Sequence, residues 1–81
     1  MNEKNLENQE ILEKLIISIL KERGEISFEE LREFLEEKGF YRDSLYLRRI
    51  IADLIRRGFI MKTLSRDRKN KFVYVVTSES L

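Results

Sequence analysis

The chain contains no cysteine, no histidine and no proline, and only three of its 81 residues are glycine. Without cysteine the fold cannot contain disulfides or thiolate metal sites. The absence of histidine removes the usual general base and the usual zinc ligand. No glycine-rich phosphate loop is present, nor a clustered Ser/Lys/Asp constellation. We therefore expect neither an enzyme nor a metal or cofactor site.

Long apolar runs are also missing, since none approaches the roughly 20 residues of a membrane span. The first residues, MNEKNLE, do not have the pattern of a signal peptide. The sequence thus predicts a cytoplasmic protein with no membrane partner. An 81-residue chain is long enough for one domain, which we expect to cover residues 1–81.

Charged residues are abundant, at 38% of the chain. This composition is typical of proteins from thermophilic organisms. The net charge of +1 conceals an asymmetry, because residues 1–40 carry six basic and 11 acidic side chains, whereas residues 41–81 carry ten basic and four acidic ones. Such a separation indicates a basic face suited to an anionic partner.

Each glycine follows a stretch that ends in lysine or arginine, as in KERG24, EEKG39 and RRG58. Cations in the last turn and glycine after it are typical of helix C-termini. Together with apolar residues at helical spacing, these stops predict helices at about 6–23, 28–38 and 43–57. The sequence SFEE, from Ser27 to Glu30, predicts a capping box at the start of the second helix.

The remaining elements are short β-strands, predicted at about 25–26, 59–64 and 72–77 from β-branched and aromatic residues. The last two form a hairpin whose loop, SRDRKNK at residues 65–71, is strongly basic. By itself this loop is either a solvated turn or a contact for an anion. On the first helix, Leu6 and Ile17 fall opposite the main apolar face, which suggests a homodimer interface.

The third helix is expected to bury Leu47, Ile50, Ile51, Leu54 and Ile55. Its outward side then carries arginines at positions 49 and 56 together with a small residue at position 52. The last-turn arginines at 56 and 57 are explained by the helix terminus alone. Arg48 and Arg49 lie in mid-helix, where that explanation does not apply.

The order of elements, and above all the stretch LRRIIADLIRRGFI at residues 47–60, resembles the winged-helix DNA-binding domain. The resemblance covers nearly the whole chain and implies an α+β fold, a three-helix helix-turn-helix core with a β-hairpin wing. It is similar to small stand-alone transcription regulators of archaea and archaeal viruses. The resemblance therefore implies that the partner is double-stranded DNA. It also implies that the protein is associated with the nucleoid in the cytoplasm, or lies in the host cytoplasm if it is viral.

The resemblance also implies roles for individual residues. The third helix would lie in the major groove, and the wing would contact the backbone or the minor groove. The implied recognition-helix residues are Arg42, Ser44, Tyr46, Arg48, Arg49 and Ala52, and the implied wing residues are Arg66, Arg68, Lys69 and Lys71. Arginine matches the two acceptors of guanine, and the wing cations match phosphates. The second helix begins with Glu29 and Glu30, which would repel phosphate, so it is given no binding role.

One other function has support in the sequence. The acidic first half and the apolar residues Leu6 and Ile17 also fit a protein-interaction winged helix in a transcription, replication or membrane-remodelling assembly. Detectable duplex binding at low salt separates the two hypotheses. No small-molecule ligand is indicated.

Overall fold

A computed structural model describes residues 2–40 and 44–77 of the chain. In this part of the chain, three helices precede a two-stranded antiparallel sheet. The helices are α1 (Asn2–Arg23), α2 (Phe28–Glu37) and α3 (Ser44–Arg56), and the strands are β1 (Ile60–Leu64) and β2 (Phe72–Val76). The structure thus confirms an α+β architecture with a hairpin that follows the helices.

Helix α1 begins four residues before the predicted start, because no glycine or proline interrupts the polar residues ahead of Leu6. One face is buried in the core, at Leu12, Ile16, Ile19 and Leu20. The side chain of Leu6 lies outside the described residues. Ile17, which was expected opposite the main apolar face and near the exposed one, is partly buried and packs against the core.

Helix α2 has the predicted capping box. Ser27 Oγ accepts a hydrogen bond from the backbone N–H of Glu30 at 3.3 Å, and Glu30 Oε1 accepts one from the N–H of Ser27 at 3.0 Å. At the other end, Gly39 has φ +81°. The Gly39 N–H bonds to Glu36 O and the Phe40 N–H to Leu35 O, which is the Schellman pattern. The connection to α3 includes residues 41–43, which lie outside the described part.

Helix α3 buries four apolar residues, Leu47, Ile50, Ile51 and Leu54. The predicted fifth, Ile55, is 37% exposed. It lies about 90° around the helix from the centre of the buried stripe, so it falls outside the core. The helix ends one residue before the predicted end, and Gly58, with φ +87°, reverses the chain into β1.

The hairpin pairs β1 with β2 in a register that places Lys62 opposite Tyr74 and Leu64 opposite Phe72. Both strands are one residue shorter than predicted. The Phe59 N–H bonds to Leu54 O in the α3 cap and is therefore not free for strand pairing. Of the predicted strand at 25–26, only Ile26 pairs, through two backbone hydrogen bonds with Tyr74.

No helix in the described ranges is both long enough and apolar enough to cross a membrane.

Candidate nucleic-acid interface

A basic cleft of about 450 Å³ lies where α3, the start of α2 and the hairpin meet. Its cationic walls are Arg48 from α3, Lys62 from β1, and Lys69 and Lys71 from the loop. Phe28, Phe72 and Tyr74 supply aromatic surface, and Glu29 is an acidic residue on its wall. We call this feature the basic cleft. It brings together cations that are up to 23 positions apart in the sequence, from residue 48 to residue 71.

Arg48 reaches the basic cleft from the flank of α3 that faces α2. Its guanidinium carbon lies 4.0 Å from the ring centroid of Phe28. Phe28 is the first residue of α2 and is half-buried against the core, so the ring provides a fixed support. A cation over an aromatic face is held electrostatically and keeps its charge. Arg48 is therefore a positioned positive charge at the wall of the cleft.

Lys62 was not identified from the sequence, which assigned the wing cations to the loop alone. Its ammonium group lies 5.1 Å from the ring centroid of Phe72. Strand alternation combined with the observed register places Lys62 and Phe72 on one face of the hairpin. A correct prediction of this register would have identified Lys62 as a residue of the basic cleft.

Arg68 ties the basic loop to the start of α2. Its Nη1 donates to Glu30 Oε2 at 2.7 Å and its Nη2 to Glu30 Oε1 at 3.3 Å, while Glu25 Oε2 lies 3.6 Å from Nη2. We call this set of contacts the Arg68 tether. Since two carboxylates neutralise its charge, Arg68 contributes less to an anion-binding surface than Lys69 or Lys71. Neither lysine has an ion-pair partner among the described residues.

Ser65 closes the base of the loop. Its hydroxyl oxygen accepts hydrogen bonds from the backbone N–H groups of Asp67 and Arg68 at 3.1 and 3.0 Å, and it donates to Glu25. The Ser65 N–H bonds to Lys71 O, and Asn70 takes the left-handed conformation at φ 61°. The loop is therefore an ordered turn with its own hydrogen bonds.

The hydrogen bonds around the loop lower the pKa values of the two carboxylates of the Arg68 tether, Glu30 and Glu25. The hydrogen bond from Arg68, followed by that from the Ser27 N–H, lowers the pKa of Glu30 from 4.5 to about 2. The Ser65 hydrogen bond lowers the pKa of Glu25. The hydrogen bond to Glu30 raises the pKa of Arg68. Both carboxylates are thus ionised at neutral pH.

The outward side of α3 lines a second groove, of about 550 Å³. Tyr46, Arg49 and Ala52 face it, with Asp53, Arg56 and Gln9 of α1. Asp53 is engaged by Arg56 and by Arg57, whose Nε lies 2.9 Å from Asp53 Oδ2. Asp53 is thus paired with two arginines at the C-terminal end of α3.

The predicted site residues thus fall into separate places. Arg48, Lys69 and Lys71 meet in the basic cleft, whereas Tyr46, Arg49 and Ala52 line the second groove. Arg66 lies on the other side of the hairpin, and its backbone N–H donates to Glu25 at 3.4 Å. Ser44 accepts a hydrogen bond from Arg32 at 3.4 Å. Arg42 lies outside the described residues.

Metal binding has no candidate ligands within the described ranges, where no group of three or more acidic, histidine or cysteine side chains is close enough together to hold an ion. Comparison with protein-family models, curated proteins and solved structures finds no match to this chain. The cleft, the second groove and the order of elements are therefore the basis for any functional conclusion.

Proposed function

We propose that this chain is a winged-helix domain that binds double-stranded DNA and acts as a transcriptional regulator. The observation that carries the proposal is the basic cleft, in which a cation of α3 meets cations of the hairpin. Cations from two elements on one surface can contact several phosphates at once, and such contacts supply much of the affinity for DNA and fix its orientation. The arrangement of three helices and a hairpin is compatible with the winged-helix layout.

The two surfaces of α3 would have different tasks. Arg48 projects from α3 into the basic cleft, on the side of the loop, and would contact phosphate. Arg49 and Ala52 lie on the outward side, where a helix in the major groove presents side chains to base edges. Because Asp53 is already engaged by two other arginines, it does not neutralise Arg49.

The cations of the loop would also have different roles. Lys69 and Lys71 are exposed and line the cleft, so they would contact the DNA backbone. Arg68 would act indirectly, since its guanidinium is held by Glu30 and Glu25. The tether fixes the loop relative to α2 and thereby directs the two lysines into the cleft.

The experiment that tests the proposal is a salt titration of duplex binding, followed by fluorescence anisotropy. Each phosphate contact contributes about −0.9 to the slope of log K against log salt, so the four cleft cations predict a slope near −3 to −4. Replacing both Lys69 and Lys71 by alanine should reduce the slope by about 2. The matched control is the double alanine variant of Lys14 and Lys21, which removes the same charge from exposed positions of α1.

Equal losses of slope in the two double variants would show that net charge alone drives binding, and would refute the assignment of the cleft. Absence of binding to any duplex at low salt would refute the proposed function.

A second candidate function is protein interaction, which one further observation favours. The hairpin and the end of α1 border a groove of about 670 Å³, whose apolar residues Met61, Leu64, Val75 and Val76 are flanked by the charged residues Arg23, Glu25, Arg66 and Asp67. Met61 is 46% exposed there. A stable protein complex that is lost on charge substitution at Met61, in a chain that binds no duplex, would favour this candidate over DNA binding.

A further inference from the structure

Phe72 is an aromatic side chain that faces cations rather than the core. It is 58% exposed at the start of β2, whereas its neighbour Val73 is fully buried. The ring forms part of the wall of the basic cleft, with the Lys62 ammonium 5.1 Å from its centroid. Duplex binding through phosphate contacts requires no aromatic surface, so DNA binding as proposed above does not account for this residue.

The surroundings of Phe72 are those of a single-strand binding site. Such sites combine a positively charged groove, which follows the backbone, with exposed aromatic rings on which bases stack. Lys69 and Lys71 provide the charge directly before Phe72 in the chain, and neither has an ion-pair partner among the described residues. Charge and aromatic surface therefore occur together within one short segment.

The kind of nucleic acid that fits the basic cleft follows from how bases stack. A base inside a duplex has both faces covered by its neighbours and cannot stack on Phe72. A base that is unpaired, at a strand end or a bulge, has a free face.

We propose that the basic cleft binds an unpaired nucleotide of DNA, with its base stacked on the face of Phe72 opposite Lys62 and its flanking phosphates on Lys69 and Lys71. The inference rests on the proposed function, because the adjoining duplex would lie against α3. It makes the preferred ligand a duplex with a single-stranded end or a bulge rather than an uninterrupted duplex.

Phe72 also has a structural role that must be separated from binding. It pairs with Leu64 across the hairpin, and cross-strand apolar pairs stabilise sheets. Leucine at position 72 preserves an apolar pair but offers no aromatic face. Tyrosine preserves both. The two substitutions therefore distinguish a stacking role from a packing role.

The experiment compares a blunt duplex with the same duplex extended by a short single-stranded overhang that contains 2-aminopurine. Stacking of one base contributes about 1–3 kcal/mol, which is a preference of roughly 5- to 150-fold for the overhang. The preference and the fluorescence change of 2-aminopurine should be lost in Phe72→Leu and retained in Phe72→Tyr. The control is Met61→Ala, which removes an exposed side chain from the groove on the other side of the hairpin and should retain both.

Two results would overturn the inference while leaving duplex binding intact: equal affinity of the unaltered protein for both DNAs, or an unchanged preference in Phe72→Leu. Failure to bind either DNA would instead remove the proposed function and the inference with it. Circular dichroism of each variant establishes that the fold is retained before binding is compared.

Discussion

Glu30 joins two features of the fold, and substitutions at this position separate them. Its carboxylate accepts a hydrogen bond from the Ser27 N–H at 3.0 Å and pairs with Arg68 at 2.7 Å. Glu30→Gln keeps an acceptor for the capping box, which tolerates glutamine, but removes the charge that Arg68 contacts. Glu30→Ala removes both interactions.

The magnitude follows from the pKa of Glu30, which falls from 4.5 to about 2 on folding. At about 1.36 kcal/mol per pKa unit, this drop would correspond to roughly 3.4 kcal/mol if no solvent screened it. The Glu30 side chain is 43% exposed, and ion pairs at such positions contribute about 0.2–1 kcal/mol. We therefore expect Glu30→Gln to lower the free energy of unfolding by about 0.5–1 kcal/mol. Glu30→Ala should lower it by about 1 kcal/mol more, since the hydrogen bond from the Ser27 N–H is also lost, whereas the cap bond to Ser27 Oγ remains.

The pH dependence has a defined direction. Because the pKa of Glu30 is lower in the folded state, its contribution is complete above pH 4.5 and is lost as the pH falls towards about 2. Unfolding measured by circular dichroism from pH 7 to pH 2 should show the Gln variant converging on the unaltered protein at the acid end. The control is Glu33→Gln, at an exposed position of the same helix. Identical stability of Glu30→Gln and the unaltered protein at pH 7 would refute the reasoning.

Three further predictions concern the loop, the recognition surface and a helix end. Arg68→Ala should weaken duplex binding, because the loop that carries Lys69 and Lys71 is no longer tethered, but should lower the salt slope by less than the roughly 0.9 lost in Lys69→Ala; a full unit lost in Arg68→Ala would place Arg68 on the backbone. Arg49→Ala should cost about 1–3 kcal/mol on a preferred site and little on random DNA, as measured by competition binding; equal losses on both would exclude base recognition. Gly58→Ala should destabilise the fold by about 1–2 kcal/mol in urea unfolding, since φ +87° strains any residue with a Cβ; unchanged stability would contradict the left-handed conformation of residue 58.

Features that depend on local sequence were predictable, because their causes are local. The capping box of Ser27 and Glu30, the left-handed glycines and the apolar faces of the helices were each confirmed. Errors occurred at borders, where a residue lies near the edge of a buried stripe. Ile55, which was expected in the core, is exposed, and Ile17, which was expected near the exposed face, is partly buried.

The candidate site was only partly predictable, since its geometry depends on contacts between distant residues. Arg68 and Glu30 are 38 positions apart, and no local pattern indicates that they pair. From the sequence alone, Arg68 therefore could not be distinguished from Lys69 and Lys71 as a residue whose charge is already paired. To predict that Lys62 and Phe72 lie on one face requires the hairpin register, which the length of the loop alone does not determine.

The most direct test of the central claim is a chemical-shift map of the isotope-labelled protein titrated with duplex DNA. Binding through the basic cleft predicts that the largest backbone amide shifts occur at residues 69–72 and 48–49. It also predicts little change at the Met61 and Val75 groove on the other side of the hairpin. Shifts concentrated in that groove or along α1, with residues 69–72 unaffected, would contradict the account.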